Sequence, residues 1–295
     1  MRVAITGSSG LLGRSLATSL RTDGHDVIPV VRTTPQPDAI AWDPAAGRID
    51  PSDLAGFEAV VHYASEPVDR RWTARRKRLI HESRANSTRV LAEAIASLDD
   101  PPALLSGSAT GWYGDRGDET LTEDSGAGDD FMAMVCRDWE SATRVASDAG
   151  VRVCNLRNGV VIAEEGPLIS KVKLPFSLGL GGRVGSGRQY VPWIALDDQV
   201  AAVRFLVQHP DLSGPFNLVA PATTTNAQLT AALGLVMRRP TVLPIPLFAL
   251  RAAYGEGGRA LAAVSQKVVP QRLLDAGFHF IHDDIESALR VALST

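Results

Sequence analysis

The chain has 295 residues, 45% of them apolar, a formal net charge of −3 and two cysteines. That length holds one large domain, or a core domain with a smaller lobe, and the slight acidity speaks against a nucleic-acid partner. Cys136 and Cys154 are too few for a disulfide framework or a four-cysteine zinc site, and they fit a reducing compartment. No apolar run nears the ~20 residues that span a bilayer, and no secretory leader precedes the first strand. A cytoplasmic protein with no membrane partner is expected.

The first strand, starting at Arg2, breaks at Gly7, and an apolar helix pattern (Leu11, Leu12, Leu16, Leu20) begins in the same stretch. Gly7, Gly10 and Gly13 stand on this strand-to-helix turn as G-x-x-G-x-x-G. The first glycine permits a tight turn, the second lets backbone approach a pyrophosphate, and the third lets the helix pack on the strand. The helix N-terminus supplies free N–H groups to the anion, with Ser9, Leu11 and Leu12 in the same cradle. This context predicts a dinucleotide site.

A second strand covers residues 25–31, and Arg32 follows it. An NAD site would place an acid here for the ribose 2′-hydroxyl, but the first acid is Asp38. Arg32, joined by Arg14, suits a 2′-phosphate, so NADP(H) is expected over NAD(H).

After a short segment at 39–42 comes the strand Ala59–His62. Tyr63 and Ala64 leave its carboxyl end, where ligands bind in open α/β sheets. Residues 72–98 read as one long helix, headed by Arg70, Arg71, Arg75, Arg76, Lys77 and Arg78, mostly a solvated face. Arg84 falls on the inward stripe, either as a ligand of cofactor or substrate or as half of a structural ion pair. A buried strand at 103–108 ends in hydroxyls, Ser106 and Ser108. The acidic, glycine-rich stretch 115–130 reads as a flexible active-site flap that ends by capping a helix over 131–147, and a strand at 151–156 follows. Strands alternating with helices predict an α/β fold with a parallel sheet.

The glycine turn, His62-Tyr63-Ala64, Ser108 with Tyr113-Gly114, and Leu156-Arg157 together resemble the extended short-chain dehydrogenase/reductase superfamily. Arg71-Trp72, Ser83-Arg84, Gly111-Trp112-Tyr113-Gly114, Cys136-Arg137-Asp138-Trp139-Glu140, Gly185-Ser186-Gly187 and Trp193-Ile194 are similar to its YfcH-like NAD(P)-dependent epimerase/dehydratase branch. The resemblance covers essentially the whole chain. It implies a doubly wound Rossmann domain over 1–165 and 191–220, with NADP(H) across the switch point beside His62, Tyr63, Ala64, Arg84 and Ser106. A smaller, mainly helical substrate lobe would take 166–190 and 221–295, in a monomer or homodimer. The substrate class it implies is polar, in the wider superfamily often a nucleotide sugar.

In that superfamily a Ser/Thr hydroxyl orients the substrate and the Tyr of Tyr-x-x-x-Lys moves the proton, while nicotinamide C4 takes or gives hydride. Counted back from Glu140, the Tyr position holds Met132 and the Lys position Cys136, which excludes that pair. Ala195 stands where the branch often has His. Ser108 matches the orienting hydroxyl. Tyr113 is either a replacement proton donor, with its pKa lowered by Arg84 or the cofactor, or a packed aromatic. Cys136 is either a thiol acid/base or a small buried group. Glu66 and Asp197 are acid/base candidates or caps. Metal-hydrolase and serine-hydrolase readings fail for want of H-E-x-x-H and G-x-S-x-G.

Two functions therefore compete. One is an NADP(H)-dependent oxidoreductase or epimerase on a small molecule, anionic if Arg70, Arg71 and Arg84 read it. The other is a catalytically silent NADP(H)-binding module acting through a protein partner.

Overall fold

The computed structural model describes residues 1–32 and 38–293. In chain order the first half comprises β1 (Arg2–Thr6), α1 (Leu11–Thr22), β2 (Asp26–Val31), β3 (Ile40–Asp43), β4 (Arg48–Ile49), β5 (Ala59–His62), α2 (Ala74–Ala96) and β6 (Ala103–Ala109). There follow β7 (Thr120–Leu121), α3 (Phe131–Ser141), α4 (Arg144–Asp148), β8 (Val153–Asn158), β9 (Val160–Ile162), α5 (Pro167–Ser177), β10 (Trp193–Ala195), α6 (Leu196–Gln208) and β11 (Gly214–Leu218). The chain closes with α7 (Asn226–Met237), α8 (Leu247–Tyr254), α9 (Glu256–Ala262), β12 (Lys267–Val268), α10 (Gln271–Asp275) and α11 (Ile285–Leu293).

Eight strands form one sheet in the order β11-β8-β6-β5-β1-β2-β3-β4, parallel except for β4 at the edge. Strand order reverses between β1 and β5, which opens a crevice at their carboxyl ends. Alternate residues of the buried strands feed opposite layers. Val3, Ile5, Val61 and Leu156 meet Leu16 and Leu20 of α1 and Val203 and Leu206 of α6. Ala4, Val60 and Leu104 meet Leu91 and Ile95 of α2. Each such leucine or isoleucine contributes about 1.5–3 kcal/mol over an exposed one. A third core gathers β9, β10, α5, α7 and α11 around Ile169, Phe176, Trp193, Leu233 and Leu289.

Two sequence expectations are corrected. The helix at 131–147 is two helices, because the Thr143 hydroxyl donates to the Glu140 carbonyl at 2.7 Å and competes with the backbone ladder. The stretch 115–130 is no loose flap. Its β7 pairs with β12, Arg116 N–H donates to Ser265 O at 3.0 Å, and buried Glu123 accepts from Asn217 N–H at 2.9 Å. Its end does cap a helix: Asp130 accepts from Ala133 N–H at 2.8 Å.

Candidate cofactor and active site

Gly7 ends β1 at φ 65°, in the left-handed region, and a Cβ there would stand 2.9 Å from Ala64 N. A Cβ on Gly13 would stand 2.4 Å from Gly7 O, so only glycine lets α1 lie this close to the turn. Gly10 N–H closes the turn on Gly7 O at 3.0 Å, and Arg14 N–H starts the helix on Gly10 O at 2.9 Å. Among the described residues no side chain caps α1, and Ser9 and Gly10 are exposed. The first-turn N–H groups of Leu11, Leu12 and Gly13 therefore lack intrahelical partners at the mouth of the crevice. A glycine cradle open to solvent, with free N–H donors, fits a dinucleotide pyrophosphate.

The opposite wall is Tyr63 and Ala64. Both of their N–H groups donate to Thr6 Oγ at 3.1 Å. Thr6 in turn donates to His62 Nδ1 at 2.7 Å, His62 Nε2–H donates to Ser87 Oγ at 3.1 Å, and Ser87 donates to Ser83 O at 2.6 Å. Every proton in this chain of bonds has a place only if His62 is neutral, and burial pushes its imidazole down to about 3. His62 thus positions the crevice wall from inside, through Thr6.

Stability follows from that shift. Between about pH 6.5 and pH 3 the unfolded chain binds a proton on this histidine that the folded chain does not, so stability falls as pH falls. From pH 7 to pH 5 this share amounts to about 2 kcal/mol. In urea melts at the two pH values, His62→Asn is expected to show a drop smaller by that amount. An identical drop would remove His62 as its source.

Arg32 leaves β2 exposed, at the edge of the crevice. Arg14 does not stand free beside it: its guanidinium pairs with Glu165. The sequence missed this because the partner lies 151 residues away. Ser106 is buried inside β6, with its hydroxyl 3.3 Å from Gly107 O, and does not reach the crevice. Buried Arg84 makes no ion pair among the described residues. It donates to Glu66 O at 2.9 Å and Ile80 O at 3.0 Å and lies 5.0 Å from the Trp139 ring centre. Burial holds its pKa down at about 10, partly offset by Cys136 and Glu66, so it remains a cation.

Two of the catalytic candidates, Ser108 and Tyr113, join one buried network, and the third, Cys136, is buried outside its hydrogen bonds. Ser108 donates to Glu140 Oε1 at 2.7 Å. Arg157 grips the same carboxylate with Nε at 2.8 Å and Nη2 at 2.9 Å. Its Nη1 donates to the Tyr113 hydroxyl at 3.0 Å, and Tyr113 donates to Asn217 Oδ1 at 2.6 Å. Burial pushes the Tyr113 phenol up to about 12, more than neighbouring Arg157 pulls it down. Of the two readings of Tyr113 the geometry favours the packed aromatic: its neighbouring cation is Arg157 rather than Arg84, and its hydroxyl proton is donated inward to Asn217. Burial, reinforced by Glu140, likewise pushes the Cys136 thiol up to about 12, which makes it a packed group.

Glu66 is paired with Arg76 at 2.5 Å, and Asp197 sits exposed in the first turn of α6. Its neighbour Asp198 is buried and accepts from Ile281 and His282 N–H at 2.6 and 3.0 Å. Arg71 donates to Ala252 O at 2.8 Å and Lys77 reaches Glu256 at 2.8 Å, tying the head of α2 to α8 and α9.

Sequence reasoning missed Gln199. Buried on α6, it donates to Tyr63 Oη at 3.0 Å and Asn158 Oδ1 at 3.1 Å, and its own Oε1 has no partner among the described residues. A cleft of about 400 Å³ is lined by Asp118, Arg188, Gln189, Tyr190 and Ser265.

The sequence model of the NAD dependent epimerase/dehydratase family matches residues 3–219. The chain belongs to this family. A second model, the domain of unknown function DUF1731, matches residues 245–292. Among family relatives, the epimerase family protein Mb2239 of Mycobacterium bovis is 42% identical over 292 residues, 98% of this chain and 97% of that one. The Homo sapiens epimerase family protein SDR39U1 is 34% identical over 297 residues, covering 98% and 99%.

A crystal structure of human SDR39U1 with NADPH superposes with a TM-score of 0.92 at 31% identity, over the full length of both chains. A nucleoside-diphosphate sugar epimerase from Corynebacterium glutamicum superposes at 0.84 with 39% identity, over 99% of this chain and 58% of that one. Family membership and an NAD(P)-type nucleotide cofactor follow from these matches together with the glycine turn. Among the described residues no helix is long and apolar enough to cross a membrane.

Proposed function

We propose that the chain is an NADP(H)-dependent oxidoreductase or epimerase acting on a polar small molecule. The observation that carries this is the turn at the switch point, where glycines at 7, 10 and 13 leave an open, N–H-lined cradle opposite Tyr63 and Ala64. The pyrophosphate rests on the N–H groups of Leu11 and Leu12, and exposed Arg32 takes the adenosine 2′-phosphate. When bound, the cofactor supplies hydride exchange at nicotinamide C4. Buried Arg84, close enough to Cys136 for the two to influence each other electrostatically, supplies the fixed positive charge that position 136 lacks.

The substrate lobe, 166–190 with 221–295, contributes Arg188 and Tyr190 to the cleft, a cation and an aromatic face suited to an anionic or nucleotide-linked substrate. The C. glutamicum relative's description as a nucleoside-diphosphate sugar epimerase supports that class.

One observation favours a second reading. Ser108, Tyr113 and Cys136 all have their protons held inside the protein. A chain that binds NADP(H) and reports it to a partner needs no proton donor, so acid/base chemistry falls to another group or is absent.

The cofactor assignment is tested by calorimetric titration. A lost charge-assisted contact to the 2′-phosphate is worth up to ~3 kcal/mol, so Arg32→Asp should weaken NADPH binding about 100-fold and leave NADH binding nearly unchanged. Equal loss for both nucleotides would remove the NADP preference.

A further inference from the structure

Residues 166–196 and 212–255 carry four and three Lys or Arg respectively, and no Asp or Glu, in a chain whose net charge is −3. All other residues together therefore carry −10: the charge is segregated. The two stretches lie side by side. Ile245 N–H donates to Arg183 O at 2.7 Å, Gly185 N–H donates to Ile245 O at 3.0 Å, and a Cβ on Gly179 would touch the Pro240 ring at 3.7 Å.

The ridge they form turns large apolar side chains outward. Leu174, Leu178 and Leu180 come from one stretch and Val242, Leu243 and Phe248 from the other, with Val242 81% and Phe248 76% exposed. Arg183, Arg188, Arg238 and Arg239 are exposed on the same two stretches and form no ion pair among the described residues.

We propose that this ridge docks the protein on a bilayer surface rich in anionic lipid. Lys171 and Lys173 of the first stretch are paired with Asp69 and Glu164, so the arginines carry the ridge's positive charge. Single exposed apolar residues are ordinary; a set of them along one ridge, interleaved with exposed arginines, marks a contact surface. Leucine and phenylalanine side chains enter the boundary between headgroups and acyl chains while the arginines meet lipid phosphates. A second copy of the chain suits this surface poorly, because a two-fold contact would set arginine against arginine. The expectation of no membrane partner rested on the lack of a spanning segment, and a peripheral contact needs none. Leu247, next to Phe248, also lines the 400 Å³ cleft, so docking brings the cleft to the lipid surface.

Flotation of the full chain with vesicles tests the proposal. The protein is expected to rise with phosphatidylcholine–phosphatidylglycerol vesicles, to stay behind with phosphatidylcholine alone, and to be released by added salt. Each arginine neutralised should weaken partitioning about fivefold, so Arg183→Gln with Arg239→Gln should lower it about 25-fold. Val242→Glu with Phe248→Glu should abolish flotation while NADPH affinity stays that of the parent, which shows the variant folded. Absence of flotation with the mixed vesicles, equal flotation with the neutral ones, or full flotation of the glutamate variant would each overturn the proposal. So would a dimer that Phe248→Glu dissociates in a chain that never floats.

Discussion

Glu140→Ala is expected to destabilise the chain by about 3–5 kcal/mol, because it breaks a buried ion pair from one side. Its carboxylate takes both Arg157 donors and the Ser108 hydroxyl, and the Arg157 side chain is only 4% exposed. Truncation leaves a buried cation without its counter-charge and a serine hydroxyl without its acceptor. Nearby groups do not replace the carboxylate: among the described residues the remaining contacts of Arg157 are the Tyr113 hydroxyl and ring, the Glu123 carbonyl and the Trp112 ring.

The pair is not thereby a net source of stability, since two buried charges lose much of their mutual attraction to desolvation. Replacing both residues by methionine should accordingly cost less than Glu140→Ala alone. Denaturant melts of the two variants decide the matter, and a loss below about 1 kcal/mol for Glu140→Ala would show that the network is not closed.

Gly13→Val is the second large effect, on binding. Its Cβ would lie 2.4 Å from Gly7 O and 2.9 Å from Ser8 Cα, both backbone atoms of the turn, so no side chain can swing away to admit it. Either α1 retreats from β1 or the turn opens, and each displaces the Leu11 and Leu12 N–H groups that are proposed to hold the pyrophosphate. Losing two charge-assisted hydrogen bonds lowers NADPH affinity at least 100-fold. The added bulk costs about 1–3 kcal/mol of stability, so the folded fraction has to be measured alongside. Gly126→Ala serves as the control, because a Cβ there meets nothing within 4 Å. Unchanged affinity in Gly13→Val would mean that the cofactor rests elsewhere.

The glycine turn was legible because its requirements are local: three residues set the dihedrals and clearances, and the flanking strand and helix show in the same stretch. The parallel sheet was legible for the same reason, through its alternating apolar segments. The fates of Tyr113 and Ser108 were not. Tyr113 is fixed by Asn217, 104 residues away, and Ser108 by Glu140, 32 away, pairings that no sequence periodicity encodes.

Composition misled at 115–130. Acids and glycines there read as a solvated flap, yet Glu123 is buried and ties Asn217 and Arg272 N–H groups together. Arg84 lay between the two readings given for it. It is buried as its helical stripe required, but it is held by carbonyls and an indole ring rather than by a carboxylate.

The turn at Gly7, Gly10 and Gly13 is proposed to hold the pyrophosphate of NADP(H) while Arg32 reads its 2′-phosphate. A crystal structure of the chain grown with NADPH tests it most directly. Pyrophosphate oxygens are expected within hydrogen-bond distance of Leu11 and Leu12 N–H, and the 2′-phosphate against the Arg32 guanidinium. A 2′-phosphate directed away from Arg32, or a pyrophosphate away from the glycine turn, would contradict it.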